Sequence, residues 1–220
     1  MTPNYEAAAT KALEILIRNN ITETPIDSLA MLLKYPGVRV LSFTRFAQQA
    51  GIERHDLVPL FGQNQDAATF HLGMSIPDVQ YVVVYNMRLP YDIICRGVAR
   101  EFGHIVLGHD GQTRSAEVRL AEASCFAHHL ISPRPVIHLL QESGMPLTMN
   151  VLTATTGCSD ECVDELREIP GVHTPQDLNR KVRDLFKRGI TEYIRFHGAA
   201  QKPDRSPVID FGTYMDGYEE

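Results

Sequence analysis

Two consecutive helix-forming segments constrain the fold of this chain more than any other feature. The first runs from Pro90 to Gly108 and carries apolar residues at helical spacing. Proline suits the first helical position and glycine the residue after the last turn. The second segment begins after Ser115, a residue type that caps helix N-termini, and stops before Pro133. We therefore expect two helices, the second placed to fold back on the first.

The segments on either side complete the expected architecture. Three β-rich segments precede the two helices, at Val38 to Phe43, Thr69 to Leu72 and Tyr81 to Tyr85. They predict a small sheet of about three strands. Helical periodicity dominates before residue 34 and again from 134 to 197. The predicted fold class is α+β and mostly helical.

The first helix carries a pair of residues with the spacing of a metal-dependent catalytic motif. Zinc peptidases use H-E-x-x-H on a helix, because residues four apart share one face and the Glu serves as general base. Glu101 and His104 match the second half of this motif. Glu122, on the following helix, is placed to act as the third ligand of a two-His, one-Glu site. The first His position is occupied by Arg100.

Taken together, these segments resemble the ImmA/IrrE family of metallopeptidases. The resemblance runs from Thr24 to about Pro133 and includes a Pro-Ile-Asp-x-Leu-Ala helix and a strand ending in Tyr85-Asn86. Its closest match is the pattern E-A-x-x-F-A-x-x-L-x-x-P, which begins at Glu122. The resemblance implies a zincin-like fold, with the small sheet packed on an active-site helix and a C-terminal helical subdomain.

The resemblance also implies residue roles and a biological setting. It assigns His104 and Glu122 as zinc ligands and Glu101 as the general base. Members of this family often act with mobile genetic elements by cleaving a repressor. The expected organisation is a metallopeptidase-type domain, a helical subdomain packed on it and an acidic, flexible tail, at residues 1–133, 134–197 and 198–220.

Arg100 changes what this site can do. A guanidinium is permanently protonated and has no lone pair for a metal. Without a bound metal, no activated water forms at neutral pH for Glu101 to deprotonate. The substitution therefore predicts a degenerate site with weak or absent proteolysis, and zinc remains the only cofactor that the pattern suggests.

Three arrangements of the site are open. A metal could be held by His104, Glu122 and a substitute ligand; Arg100 could pair with Glu122; or Arg100 could point to solvent. We favour the pairing of Arg100 with Glu122, since a charge-assisted contact would hold the two helices together without metal. His109 reaches the metal position only if the helix ends near Gly108 and the chain turns back. The candidate substitute ligands are His109, His128 and His129.

These observations leave three hypotheses for function. The first is an ImmA/IrrE-like protein that acts on a repressor-type protein with little or no proteolysis. The second is a non-catalytic module that sequesters a polypeptide partner. The third, a DNA-binding regulator, has the least support, because the segment from 147 to 169 is acidic and phosphate would repel it. We expect a polypeptide partner and no nucleic acid.

Composition and charge indicate the cellular location and the state of the cysteines. The formal net charge is −6, and half of it lies after residue 197. The apolar runs are too short for a membrane span and the N-terminus lacks a signal-peptide pattern, so we expect a cytoplasmic protein. The cysteines, expected to be small buried thiols rather than disulfides or metal ligands, are Cys95, Cys125, Cys158 and Cys162.

Overall fold

The computed structural model describes residues 2–53, 65–76, 78–111, 113–197, 207–215 and 218. The molecule is mostly helical with a small three-stranded sheet, which confirms the α+β class. In the ranges described, no helix combines the length and apolar character needed to cross a bilayer. The helices are α1 (Tyr5–Arg18), α2 (Ser28–Leu33), α3 (Phe43–Ala50), α4 (Tyr91–Val106), α5 (Ala116–Ile131), α6 (Arg134–Glu142), α7 (Met149–Thr156), α8 (Asp160–Glu168) and α9 (Gln176–His197), with short 3-10 helices at His109–Gly111 and Gly212–Met215.

The sheet is mixed, with strand order β1-β3-β2. Strand β1 (Val38–Ser42) pairs in parallel with β3 (Val79–Tyr85), and β2 (Ala67–Ile76) pairs with β3 in antiparallel fashion. Strand β2 is therefore an edge of the described sheet. All three predicted strands are present, and β2 is longer than the β-rich run that predicted it.

Helix α3 has no counterpart among the predicted elements. It begins where β1 ends, because the Ser42 side chain accepts a hydrogen bond from the backbone N–H of Arg45 and so caps the helix. Gly51, with a φ of 64°, ends it.

Helices α4 and α5 pack against each other as expected, and α1 packs on α5. Phe102 on α4 and Phe126 on α5 meet edge to face with their ring centroids 5.7 Å apart, and both are fully buried. One continuous set of buried apolar side chains extends from these helices into the segment 134–197, where it includes Leu140 and Phe186. The C-terminal helices therefore share their core with the first 133 residues.

Part of the expected flexible tail is packed against the body. Phe211 and Tyr214 are 4% and 0% exposed. The Tyr214 hydroxyl donates to the carbonyl of Ser132 at 2.9 Å, and the buried Arg134 guanidinium lies 6.0 Å from the Tyr214 ring centroid. The expectation of a loose end is wrong for residues 207–215, because aromatic burial holds this stretch in place. Residues 198–206 lie outside the described part of the chain.

The cysteines also differ from expectation. Cys95 and Cys125 are buried free thiols, as predicted. Cys158 and Cys162 are instead joined in a disulfide, with their Cα atoms 5.4 Å apart. The prediction of free thiols fails here because only three residues, 157–159, separate the end of α7 from the start of α8, and this short turn brings the two side chains together.

Candidate active site

Helix α4 places Glu101 and His104 beside the sheet. Asp92 lies in its first turn, where negative charge is favourable, and a buried apolar stripe anchors it to the core. Glu101 is 8% exposed. Burial raises the pKa of Glu101, and this effect outweighs the lowering by Thr69 and Arg100. The expected general base therefore holds its proton more tightly than an ordinary glutamate.

His109 is brought back to His104 by the end of helix α4. The helix ends at Val106, and Gly108 adopts a φ of 65°, a left-handed conformation that favours glycine. The chain then reverses, and Nδ1 of His109 lies 2.9 Å from Nδ1 of His104. The helix end and the chain reversal at Gly108 are the two conditions that the sequence set for His109 to approach the metal position.

Glu122, on α5, binds the other side of the His109 ring. Its Oε2 lies 3.1 Å from Nε2 of His109, and its Oε1 accepts hydrogen bonds from the Arg114 guanidinium and, at 2.7 Å, from the backbone N–H of Asn4. The Glu122 side chain is nearly fully buried. Both of its oxygens are thus hydrogen-bonded, and His109 stands between it and His104.

Arg100 does not pair with Glu122 but with Asp66. The distance from its NH2 atom to Oδ1 of Asp66 is 2.6 Å, and the two side chains are 23% and 11% exposed. Asp66 precedes β2 directly and packs on α4 at Gly97, where an added Cβ would lie 2.5 Å from Asp66 Cγ. The favoured pairing of Arg100 with Glu122 is therefore wrong. Because Gly97 has no side chain, Asp66 can approach α4 one helical turn before Arg100. The oxygens of Glu122 are already hydrogen-bonded to Arg114 and His109.

The hydrogen bonds imply a tautomer for each histidine. Burial, aided by His109 and Arg100, lowers the pKa of His104 to about 4, and burial lowers the pKa of His109 in spite of Glu122. Both rings are therefore neutral near pH 7, and each donates through one nitrogen and accepts with the other. Since a Glu122 oxygen is an acceptor, His109 donates through Nε2 and accepts from Nδ1–H of His104. The lone pair of His104 is then on Nε2.

A cavity of about 410 Å³ lies between the edge strand and the two helices. Glu101 and His104 line it from α4, His71 from β2, and Leu120 from α5. At its rim the Tyr81 hydroxyl donates to Oδ2 of Asp110 at 2.9 Å. Burial, followed by this hydrogen bond, raises the pKa of Tyr81, which keeps its proton. The cavity therefore combines an apolar wall with several hydrogen-bonding groups.

The other two candidate substitute ligands lie elsewhere. His128 contacts Oε2 of Glu165 through Nε2 at 3.0 Å, and Nδ1–H of His129 donates to the carbonyl of Cys125 at 2.9 Å. Both follow Glu122 by more than one helical turn, so α5 directs them to a different part of the molecule. Of the three histidines, only His109 joins His104 and Glu122.

The side chains expected to hold zinc are hydrogen-bonded to one another. Arg100 supplies no lone pair, and the imidazole of His109 separates His104 from Glu122. Over the stretches that the structure describes, no three His, Cys, Asp or Glu side chains converge as a set that could hold a metal.

Several site residues carried no signal in the sequence. Asp66 and Arg114 lie in loops and Asp110 lies in the short 3-10 helix, all outside any motif, and only the fold brings them to α4 and α5. Tyr81 was recognisable as part of a strand but not as a cavity residue. Gly108 was the one local signal, because a glycine at a helix end favours the chain reversal that places His109.

Comparison with known proteins gives no match to a family model, a curated protein or a solved structure.

Proposed function

We propose that this chain is a zincin-like protein of the ImmA/IrrE type that binds a polypeptide, such as a repressor-type protein linked to a mobile genetic element, and hydrolyses it weakly or not at all. The observation that carries the proposal is the ion pair of Arg100 with Asp66. It fills the first ligand position of the motif with a cation that already has a carboxylate partner.

The surroundings of Glu122 support the loss of hydrolysis. Two of its three partners, the Arg114 guanidinium and the His109 imidazole, would have to give up their hydrogen bonds before Glu122 could bind a metal. Leaving the buried His109 donor without a partner would cost about 1–3 kcal/mol, whereas the Arg114 side chain is 32% exposed and can hydrogen-bond to water. These hydrogen bonds therefore favour a structural role for the Glu122 carboxylate over metal binding.

The edge strand supports polypeptide binding. Strand β2 lies at one edge of the described sheet, and its residues Thr69 and His71 line the cavity. An extended peptide can add to such an edge through main-chain hydrogen bonds while its side chains enter adjacent pockets. Leu120, which is 50% exposed on the opposite wall, offers an apolar contact to such a segment.

A second candidate function is residual zinc-dependent hydrolysis. The closeness of the His104 and His109 rings favours it, because two neighbouring imidazoles are a good partial ligand set for zinc once they give up the hydrogen bond between their Nδ1 atoms. For such hydrolysis, Glu101 would act as general base and Glu122 would hold the His109 ring in place through its hydrogen bond.

The binding proposal is tested with a repressor-type protein encoded beside this chain. We expect the pair to associate, the partner to stay intact, and Leu120→Arg to weaken binding by at least about tenfold. The matched control is Leu33→Arg, since Leu33 is similarly exposed at 59% and does not line the cavity. Hydrogen exchange should show new protection of β2. Equal binding by both variants would contradict the proposal, as would salt-sensitive binding to duplex DNA in place of the protein.

A further inference from the structure

We propose that Arg119 recognises a carboxylate of the polypeptide that this chain binds, so that the preferred segment presents an acidic group to α5. The inference rests on the proposed function, because it names the chemistry of the segment that would add to the edge strand β2. It is carried by the place of Arg119 in the cavity, by its hydrogen bond to His109 and by the charges around it.

The Arg119 guanidinium is held at the wall of the cavity. Arg119 precedes Leu120 on α5, and both side chains line the cavity together with Thr69 and His71 of β2. Its NH1 atom donates to the backbone carbonyl of His109 at 3.2 Å. Its Nε is buried and has no hydrogen-bond partner among the described residues. The guanidinium is therefore fixed in position and partly desolvated before any ligand binds, which lowers the cost of binding an anion.

The neighbouring arginines differ from Arg119 in having an acidic partner. In α4, α5 and the loop between them, three other arginines each contact a carboxylate: Arg96, Arg100 and Arg114. Arg119 makes no such contact within the described part of the chain. A guanidinium and a carboxylate bind each other through paired, charge-assisted hydrogen bonds. The carboxylate that Arg119 lacks is therefore the group that a ligand would supply.

The acidic groups of the cavity are partly balanced by other groups. Oδ2 of Asp110 accepts the hydrogen bond from Tyr81 and lies 3.7 Å from Nε2 of His71. Burial raises the pKa of Glu101, which favours the neutral form of this carboxyl. Both effects reduce the repulsion that a second carboxylate would meet on entering the cavity.

The positive charge of Arg119 acts inside the cavity. Burial is the main cause of the lowered pKa values of His104 and His109, and the Arg119 guanidinium contributes to both. A ligand carboxylate would thus meet one cation and two imidazoles that are neutral near pH 7. A phosphate group carries about two negative charges and fits less well, because Asp110 also lines the cavity and would repel it.

An extended segment paired with β2 would bring its side chains to Arg119. Every second side chain of such a segment points to the same face of the sheet. Since the cavity lies between β2 and the helices, an acidic side chain that enters it meets Arg119, and an apolar side chain on the same face can contact Leu120. A carboxylate at the C-terminus of the segment offers the same chemistry.

The test titrates the isotope-labelled full chain with short peptides and follows binding by NMR at pH 7. The first peptide is acetyl-Thr-Val-Glu-Leu-Thr-Val-amide, the second has Gln in place of Glu, and the third is the Gln peptide with a free C-terminal carboxylate. We expect the Glu peptide to bind at least about tenfold more tightly than the blocked Gln peptide, as for a hydrogen-bonded ion pair. The same gain in the third peptide instead of the first would assign the carboxylate to a chain end.

Substitutions of Arg119 separate recognition of the carboxylate from binding in general. Arg119→Gln should lose the preference for the carboxylate and bind the blocked Gln peptide as the unmodified chain does. Arg119→Glu should prefer a Lys peptide of the same sequence over the Glu peptide, a reversal that a merely structural arginine would not show. The matched control is Arg188→Gln, because Arg188 is 89% exposed on α9 and does not line the cavity.

Equal binding of all three peptides to the unmodified chain would overturn this inference and leave polypeptide binding at β2 in place. A preference for the carboxylate that persists in Arg119→Gln would also overturn it. Binding of none of the peptides would overturn the proposed addition of a segment to β2, and the inference with it. The comparison of the three peptides needs no variant, so the test stands even if an Arg119 substitution prevents folding.

Discussion

Arg100 and Asp66 form an ion pair across the interface between α4 and the loop that enters the edge strand, with a distance of 2.6 Å between NH2 and Oδ1. Asp66 also accepts a hydrogen bond from the backbone N–H of Ala67 at 2.8 Å, so its carboxylate is fixed in position. The arginine at the first ligand position of the motif is thus an integrated part of the fold. This contact links the altered motif to the stability of the fold.

Removing the charge of Asp66 should destabilise the protein. Asp66→Asn leaves the mostly buried Arg100 guanidinium without its carboxylate, and we expect a loss of about 1–3 kcal/mol in the free energy of unfolding. Urea denaturation followed by circular dichroism measures it. The control Asp177→Asn removes an exposed partner of Lys181 and should cost less than about 0.5 kcal/mol. Equal effects of the two substitutions would show that the Arg100 pair has no structural role.

Gly97→Ala should disturb the same contact from the helix side. The added methyl group would lie 2.5 Å from Cγ and 2.7 Å from Oδ2 of Asp66, which forces the carboxylate to move. We expect a destabilisation of about 1–3 kcal/mol, the range for overpacking. Gly111→Ala is the control, because an added Cβ there has no neighbour within 4 Å among the described residues. Thermal melts that are identical for both variants would contradict the packing described here.

His129 should make the protein acid-sensitive. Burial, aided by Arg134, lowers the pKa of His129 to about 3 in the folded chain. An unfolded histidine titrates near 6.5, so between these values the unfolded state binds one more proton than the folded state. This contribution to stability is complete above about pH 6.5 and declines as the pH falls, by about 1.4 kcal/mol per pH unit at most.

The measurement is urea denaturation at several pH values between 4 and 7. His129→Gln should show a shallower decline in the free energy of unfolding than the unmodified chain, while His197→Gln should follow the unmodified chain. An unchanged slope in His129→Gln would show that His129 does not stay neutral when buried.

Tyr214 should anchor residues 207–215 to the body. Tyr214→Phe removes the hydrogen bond to the Ser132 carbonyl and should cost about 1 kcal/mol, whereas Tyr214→Ala should cost about 3–5 kcal/mol because the ring is fully buried. Limited proteolysis should then cut this segment faster in Tyr214→Ala. Tyr193→Phe, at a partly exposed position, is the control. Equal cleavage rates in all variants would contradict the docking.

The helices and strands that carry regular hydrophobic patterns were predictable from the sequence, and so was the meeting of α4 with α5. Periodicity marks which face of an element is buried, and glycine and proline mark where it ends. Helix α3 was missed because its cap, Ser42, is also the last residue of a strand. The docking of residues 207–215 was missed because two buried aromatic residues produce no periodic pattern.

The candidate site was predictable only in part. Glu101 and His104 share one helix, so their spacing fixes their relative position. The partner of Arg100 depends on a contact across 34 positions of sequence, with Asp66 in a loop that carries no motif. His109 depends on the reversal at Gly108, which the sequence permits but does not require. Side-chain pairing of this kind is decided by tertiary packing.

The zinc content of the full chain tests the central claim most directly. The unmodified protein and the double variant Arg100→His/Asp66→Asn are equilibrated with zinc at pH 7, dialysed and measured by elemental analysis. Asp66→Asn is included because Arg100→His alone would leave the Asp66 carboxylate without its partner. The control is Arg180→His, on an exposed helix surface. We predict far less than one zinc per unmodified chain and a clear gain in the double variant. One tightly held zinc per unmodified chain would contradict the account.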